Sequence, residues 1–290
     1  MAALELGAAV ATKPLVSVVI PTRGTKPNQL RRAVDSALGQ VGAGDSFAVE
    51  VMVVVDGDGP GLGEVPHGVR CMRLTPGSGG RPGWVRNVAL RSISADCAYV
   101  AFLDDDDRWL PHKLEVQLER MASDETLMCC GGGREFDSED AALGADNAAS
   151  ANTNTGVAAS PPPTMPRGAA ELPSVLTAAF INDHPTNPII TSSMLAHASV
   201  TREAGEFGDK KYAQDYEYWK RCLASPTASS GCSFCNTTVV LYGVGSLESS
   251  TVQKEVRQGI WAVTERAVSA AAGRDASTRA GERSGNDGGG

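Results

Sequence analysis

The chain has no apolar run approaching the roughly twenty residues that span a bilayer. It also lacks a basic excess. The formal net charge is -8, which argues against a general nucleic-acid binder and leaves only local nucleotide recognition. Met1 to Pro14 is too short, and too interrupted by Glu5, to read as a signal peptide, so it is expected as a flexible N-terminus. The seven cysteines are an odd number and show no disulfide spacing. That usage suggests a reducing compartment: a cytoplasmic protein, or one attached peripherally at the cytosolic face of a membrane. Cys232-Ser-Phe-Cys235 has no second pair to complete a zinc site and reads as incidental. Aromatics are few, at 5 %, and Ala and Gly abundant, but the composition stays globular and 290 residues can bury a full core.

What the chain does have is acid concentrated at one point. The apolar run Ala98-Tyr-Val-Ala-Phe-Leu103 leads straight into Asp104-Asp-Asp-Asp107. Carboxylates side by side on a rigid strand end repel by several kcal/mol unless a cation or solvent relieves them. Hard oxygen ligands in that position suit Mg2+ or Mn2+, above all when a diphosphate supplies the remaining ligands. The same residues also suit the approach to a helix starting near Pro111, where acid complements the helix dipole. The segment alone leaves both readings open.

Strand and helix alternate through the first half. Leu15–Ile20, Val49–Val55, Val69–Leu74 and Ala98–Leu103 read as strands, with Leu127–Cys130 as one more. Leu30, Ala33, Val34 and Ala37 recur at helical spacing behind Asn28 as a cap; Trp84–Ile93 and the face Leu114, Leu118, Met121 read as further helices. Such alternation implies an α/β fold with a mostly parallel sheet and helices on its faces. Ligands then bind beyond the carboxyl ends of the strands, so Thr22, Arg23, Asp56 and the Asp104 cluster should converge on one crevice. Residues 137–172 collapse into Ala, Asn, Thr, Ser and Pro and read as a low-complexity insertion. Order is expected to resume near Ser174, with Pro188–Leu195 and Thr237–Tyr242 strand-like and Asp215–Leu223 helical. Val252, Val256, Ile260, Val263 and Ala267 mark an amphipathic helix, and 271–290 a disordered tail. Residues 15–270 are thus expected to form a single interrupted domain.

Several segments together resemble the family-2 glycosyltransferases. Val16-Ser-Val-Val-Ile-Pro-Thr-Arg23 is similar to the family's opening strand, followed by Leu30-Arg-Arg-Ala-Val-Asp-Ser-Ala-Leu-Gly-Gln40 and Val53-Val-Val-Asp-Gly57. Gly83-Trp-Val-Arg-Asn87, Phe102-Leu-Asp-Asp-Asp-Asp-Arg-Trp-Leu-Pro111 and Asn187-Pro-Ile-Ile-Thr-Ser-Ser193 come next. Gly205-Glu-Phe207 and Gln214-Asp-Tyr-Glu-Tyr-Trp219 complete a series that keeps family order across Leu15 to Leu223.

The resemblance implies a GT-A fold and inverting transfer of a sugar from a nucleoside diphosphate sugar, commonly UDP-linked. The acceptor would be the hydroxyl of a saccharide, lipid or protein. By position, Asp56 resembles the carboxylate that binds the base. Pro21, Thr22 and Arg23 would line the nucleotide pocket, with Arg86 approaching from the next loop. Asp104-x-Asp106 resembles the family's Asp-x-Asp motif, placing Asp106 on a Mn2+ or Mg2+ ion and Asp104 or Asp105 on the ribose or a bridging water. Asp215 matches the general base. Gly57 stands where a second Asp is frequent, Gln214 replaces a frequent Glu, and Trp84 occupies a small-residue position from which it would reshape the donor pocket. Two other functions share some of these features: a sugar-phosphate nucleotidyltransferase and a non-catalytic nucleotide-sugar binding module. Pro21-Thr-Arg-Gly-Thr25 has too few glycines for the first, and Asp215 beside the acidic cluster argues against the second. Outside the matched positions, Trp109 and Trp219 read as packing residues, His184 as a loop histidine and Glu217 as a solvated helix residue.

Overall fold

Strand β1 (Leu15–Thr22) is apolar on both faces and lies at the centre of a parallel set with β2 (Ala48–Asp56), β3 (Val69–Leu74) and β4 (Cys97–Phe102). The computed structural model describes residues 13–61, 63–137, 172–184 and 187–244. The expected insertion, apart from its first and last residues, lies outside them, as do the helix predicted around Val252–Ala267 and the tail. Helix α1 (Pro27–Leu38) connects β1 to β2, and α2 (Pro82–Leu90) connects β3 to β4. After β4 come β5 (Arg108–Trp109), α3 (Lys113–Asp124), β6 (Met128–Asp137), β7 (Val175–Leu176) and α4 (Ala178–Asp183). The chain continues through β8 (Leu195–His197), α5 (Ala198–Ala204), α6 (Gln214–Ala224) and β9 (Cys232–Val244).

The strands of the described residues share one sheet in the order β3-β2-β1-β4-β8-β6-β9-β5, with β7 paired to β9. The β3-β2-β1-β4 half is parallel throughout; β8 then runs antiparallel between β4 and β6, and β6 pairs β9 in parallel. Period-two alternation divides the core between the two faces. Val16, Val18 and Ile20 pack with Leu30, Val34, Leu114 and Met121 of α1 and α3. Val19, Met52 and Phe102 face the other way, against Val85, Val200, Tyr218 and Trp219 of α2, α5 and α6. The second core is aromatic. Phe207 stacks on Tyr218 at 3.7 Å, and Phe102 meets Trp219 edge-on at 5.4 Å. Trp109 and Trp219 are both buried packing residues.

Local chemistry moves several expected boundaries. Helix α1 starts at Pro27 with Lys26 as N-cap, because proline pre-sets the first helical φ; Asn28 lies inside the first turn. The strand read over Pro188–Leu195 is largely a 3-10 turn at Thr191–Ser193, leaving only Leu195–His197 in the sheet. The hydroxyls of that turn bond to nearby groups, Ser193 Oγ to the Ile190 carbonyl at 2.8 Å among them, in competition with strand pairing. Strands β6 and β9 both run longer than their apolar cores suggested.

Candidate active site

Each site residue nominated above lines a single cavity of about 730 Å3 at the carboxyl ends of β1, β2 and β4. Pro21, Thr22 and Arg23 come from the end of β1, and Asp56 from the end of β2. Arg86 comes from α2, Asp104, Asp105 and Asp106 from the turn after β4, and Asp215 from the start of α6. Trp84 does not line it; helix geometry turns its indole to the other side of α2.

The loops after β1 and β2 meet backbone to backbone. A Cβ on Gly59 would sit 1.9 Å from the Arg23 carbonyl oxygen, so only glycine fits there. Asp56 accepts the Ser78 hydroxyl at 2.7 Å and the Ser78 N–H, and the Ser78 Oγ accepts the Arg81 N–H at 2.9 Å. Thr22 Oγ1 donates to Asp105 and accepts the Gly24 N–H at 2.8 Å, linking the β1 end to the acidic turn.

In the acidic turn the four carboxylates divide by environment. Asp104 pairs with Arg86 at 2.5 Å. Asp105 has Thr22 as partner, and burial pushes its pKa above the ordinary carboxylate range. Burial, then the charges of Asp104 and Asp105, push Asp106 up to about 7, and among the described residues no side chain bonds to its carboxylate. Asp107 points away from the cavity and is fully buried, accepting Ser192 Oγ and the Gly243 N–H, the latter at 2.8 Å. A Cβ on Gly243 would lie 2.1 Å from the Asp106 carbonyl oxygen, so β9 passes against this turn at glycine.

Arg86 is only 3 % exposed, and its Nε and Nη1 have no hydrogen-bond partner among the described residues. A buried guanidinium left half-satisfied beside a cavity is suited to an anion entering it. Asp215 takes both of its bonds on Oδ2, from Asn187 Nδ2 at 3.0 Å and Thr191 Oγ1 at 2.9 Å. Oδ1 has no such bond among the described residues.

Ser78, Asn187, Thr191 and Ser192 hold the acidic groups in place, and sequence reasoning singled out none of them. Only the Asn187–Ser193 segment carried a signal. His184 does not line the cavity; its carbonyl accepts the Tyr216 hydroxyl at 2.6 Å. Glu217, expected as solvated, bonds Arg221 at 2.6 Å. Cys232 and Cys235 pack on opposite faces of the sheet, Cys235 with its sulfur 3.4 Å from that of Cys129.

The family pattern described as Glycosyl transferase family 2 matches residues 17–162, half of the chain. The chain belongs to that family. It is 35 % identical over 107 residues to the succinoglycan biosynthesis protein ExoW of Rhizobium meliloti, a stretch covering 34 % of this chain and 31 % of ExoW. Its fold is shared by S. aureus TarS 1-349 in complex with UDP-GlcNAc: TM-score 0.58 and 17 % identity, covering 83 % of this chain and 61 % of that one. A second match is the mannosyltransferase PcManGT from Pyrobaculum calidifontis in complex with GDP-Man and Mn2+, with TM-score 0.55 and 14 % identity over 82 % of this chain and 59 % of that one. The chain therefore spans about a third of the curated relative and under two thirds of these structures. The expected GT-A architecture, a mostly parallel sheet with helices on both faces, is the one observed.

Proposed function

We propose that this chain transfers a sugar, with inversion, from a nucleoside diphosphate sugar to an acceptor hydroxyl, and that the donor is UDP-linked. One observation carries the reading: Arg86, a buried guanidinium half-satisfied among the described residues, and Asp106, a carboxylate to which no described side chain bonds, border the same cavity as Asp215.

In this reading Asp56 accepts from the base, and Pro21, Thr22 and Arg23 enclose the nucleotide. Arg86 offers its Nε–H and Nη1–H groups, on separate edges of the guanidinium, to oxygens of the diphosphate. Asp215, oriented through Oδ2, takes the proton of the acceptor hydroxyl on Oδ1 while the acceptor oxygen bonds to the anomeric carbon. The bond from that carbon to the diphosphate breaks on the opposite face, and its electron pair leaves with the phosphate oxygen.

A divalent cation fits this set. Among the described residues no cluster of three acidic, His or Cys side chains holds a metal by itself. Mg2+ and Mn2+ sites in nucleotide enzymes commonly need one or two carboxylates plus phosphate oxygens, and Asp106 is a desolvated carboxylate that a cation would relieve. Asp106 would hold the ion and Asp104 or Asp105 the ribose or a bridging water. When bound, the cation would neutralise charge on the departing diphosphate. Residues 15–270 would act as one domain. The seven cysteines, all free, support a cytoplasmic setting, and no helix among the described residues is long and apolar enough to cross a membrane.

The test is incubation with Mn2+ and a panel of nucleotide sugars. Slow hydrolysis of one donor, releasing its nucleoside diphosphate, supports the proposal; binding without turnover on any donor or acceptor opposes it.

A further inference from the structure

Helix α2 separates two cavities. Pro82, Val85 and Arg86 face the first; Trp84, Asn87 and Val88, with Arg91 just past the helix end, follow the i, i+3, i+4, i+7 spacing of the other face and line a second, of about 450 Å3. Leu74, Glu206, Phe207 and Asp209 complete its wall. The volume lies within the range of small-molecule sites.

Trp84 keeps 43 % of its surface exposed, whereas Trp109 and Trp219 are buried. An indole left that open on a well-formed helix contributes little to the core. The Arg81 guanidinium, 4.9 Å from the ring centroid, helps hold its orientation. The surrounding wall is preformed. Asn87 bonds the Phe207 backbone in both directions, at 3.0 and 2.8 Å, and Phe207 is stacked on Tyr218. Arg221 donates to the Glu206 carbonyl at 2.5 Å.

The polar rim consists of planar groups. Arg91 forms two bonds to Glu206, both at 2.6 Å, and Asp209 stands beside them. The pair is largely exposed and so adds little to folding. Arg91 and, over the indole, Arg81 stand against the carboxylates of Glu206 and Asp209, so the charges balance and favour a neutral ligand. An exposed indole ringed by guanidinium and carboxylate groups matches a polyhydroxylated ring, whose C–H face covers the aromatic while its hydroxyls bond the planar groups.

We propose that this second cavity is a saccharide-binding subsite that holds a neutral stretch of acceptor or product glycan away from the reacting hydroxyl. Its placement on the acceptor chain rests on the transferase reading above; saccharide binding itself does not.

The experiment is 19F NMR of the full chain carrying 5-fluorotryptophan, with the Trp84 resonance assigned through Trp84→Phe. Neutral tetrasaccharides of glucose, galactose, mannose and N-acetylglucosamine are added in turn, and UDP with Mn2+ separately. The expected result is a shift of the Trp84 resonance with at least one tetrasaccharide while Trp109 and Trp219 stay still, and binding weakened about tenfold by Trp84→Ala. Trp84→Ala should leave UDP affinity unchanged. No shift with any tetrasaccharide overturns the proposal, and so does a Trp84 shift driven by UDP, which would assign the cavity to the nucleotide. Glycan binding without UDP binding would uphold the subsite and count against the donor reading alone.

Discussion

The Ser192 hydroxyl donates to the buried carboxylate of Asp107 and accepts the Asp104 N–H at 3.0 Å. One serine thus ties a carboxylate that faces the core to the backbone of one that faces the cavity. Asp107→Ala leaves both Ser192 and the Gly243 N–H without their acceptor. We expect a loss of roughly 2–4 kcal/mol in urea unfolding, together with weaker donor binding as the turn loosens. An unchanged unfolding midpoint would contradict this structural role.

Asp215→Asn should reduce transfer by about 10²–10⁴-fold, the range for loss of a general base. Asn187 and Thr191 still have an oxygen to bond, so UDP affinity by calorimetry should be unchanged. Near-normal turnover would remove Asp215 from the mechanism.

Asp106 is pushed up to about 7 by burial and by Asp104 and Asp105. The folded protein without metal therefore binds a proton that the unfolded chain releases at lower pH. The stability that Asp106 contributes should be lost as pH rises from about 4 to about 7. Asp106→Asn should reduce that slope in thermal melts, the part due to Asp105 and Asp107 remaining, and abolish Mn2+-linked UDP affinity. Added Mn2+ should stabilise the wild-type protein more at the upper end of the window than at the lower.

Lys113 is buried beneath the sheet, its Nζ donating to Gln117 Oε1 at 2.5 Å and lying 4.1 Å from the Trp109 ring centroid. Burial lowers its pKa to about 7. Above that value the folded state holds a neutral amine while the unfolded chain remains protonated, so stability should climb from about pH 7 towards 10, by roughly a few kcal/mol. Lys113→Met should remove this rise in pH-dependent melts; a rise that survives the substitution must come from another group.

The strands β1, β2 and β4 were legible because burial on both faces leaves near-continuous apolar runs, which few other structures tolerate. The convergence of Thr22, Arg23, Asp56 and Asp104 followed from topology, since parallel strands deliver their carboxyl ends to one edge, whereas Arg86, on α2, was picked out by the family resemblance. The Thr191–Ser193 turn was not legible: Pro-Ile-Ile-Thr reads as strand, and only the three-dimensional positions of Asp107 and Asp215 show what its hydroxyls bond. Ser78 and Asn187 carry no periodicity, and their roles are defined by partners distant in sequence. Strand β5 is two residues long and sits against an acidic turn that resembles a helix entrance. Trp84 was tied to the donor pocket by the family resemblance; the helical twist puts it on the other side of α2.

Gly59 leaves no room for a side chain against the Arg23 carbonyl, and this restricts how the scaffold can diversify. A mutation there would push the β1 and β2 loops apart rather than reshape what lies between them. In the nucleotide-sugar reading, Pro82 and Val85 are wall positions of the same cavity whose side chains can be exchanged without prising that seam open.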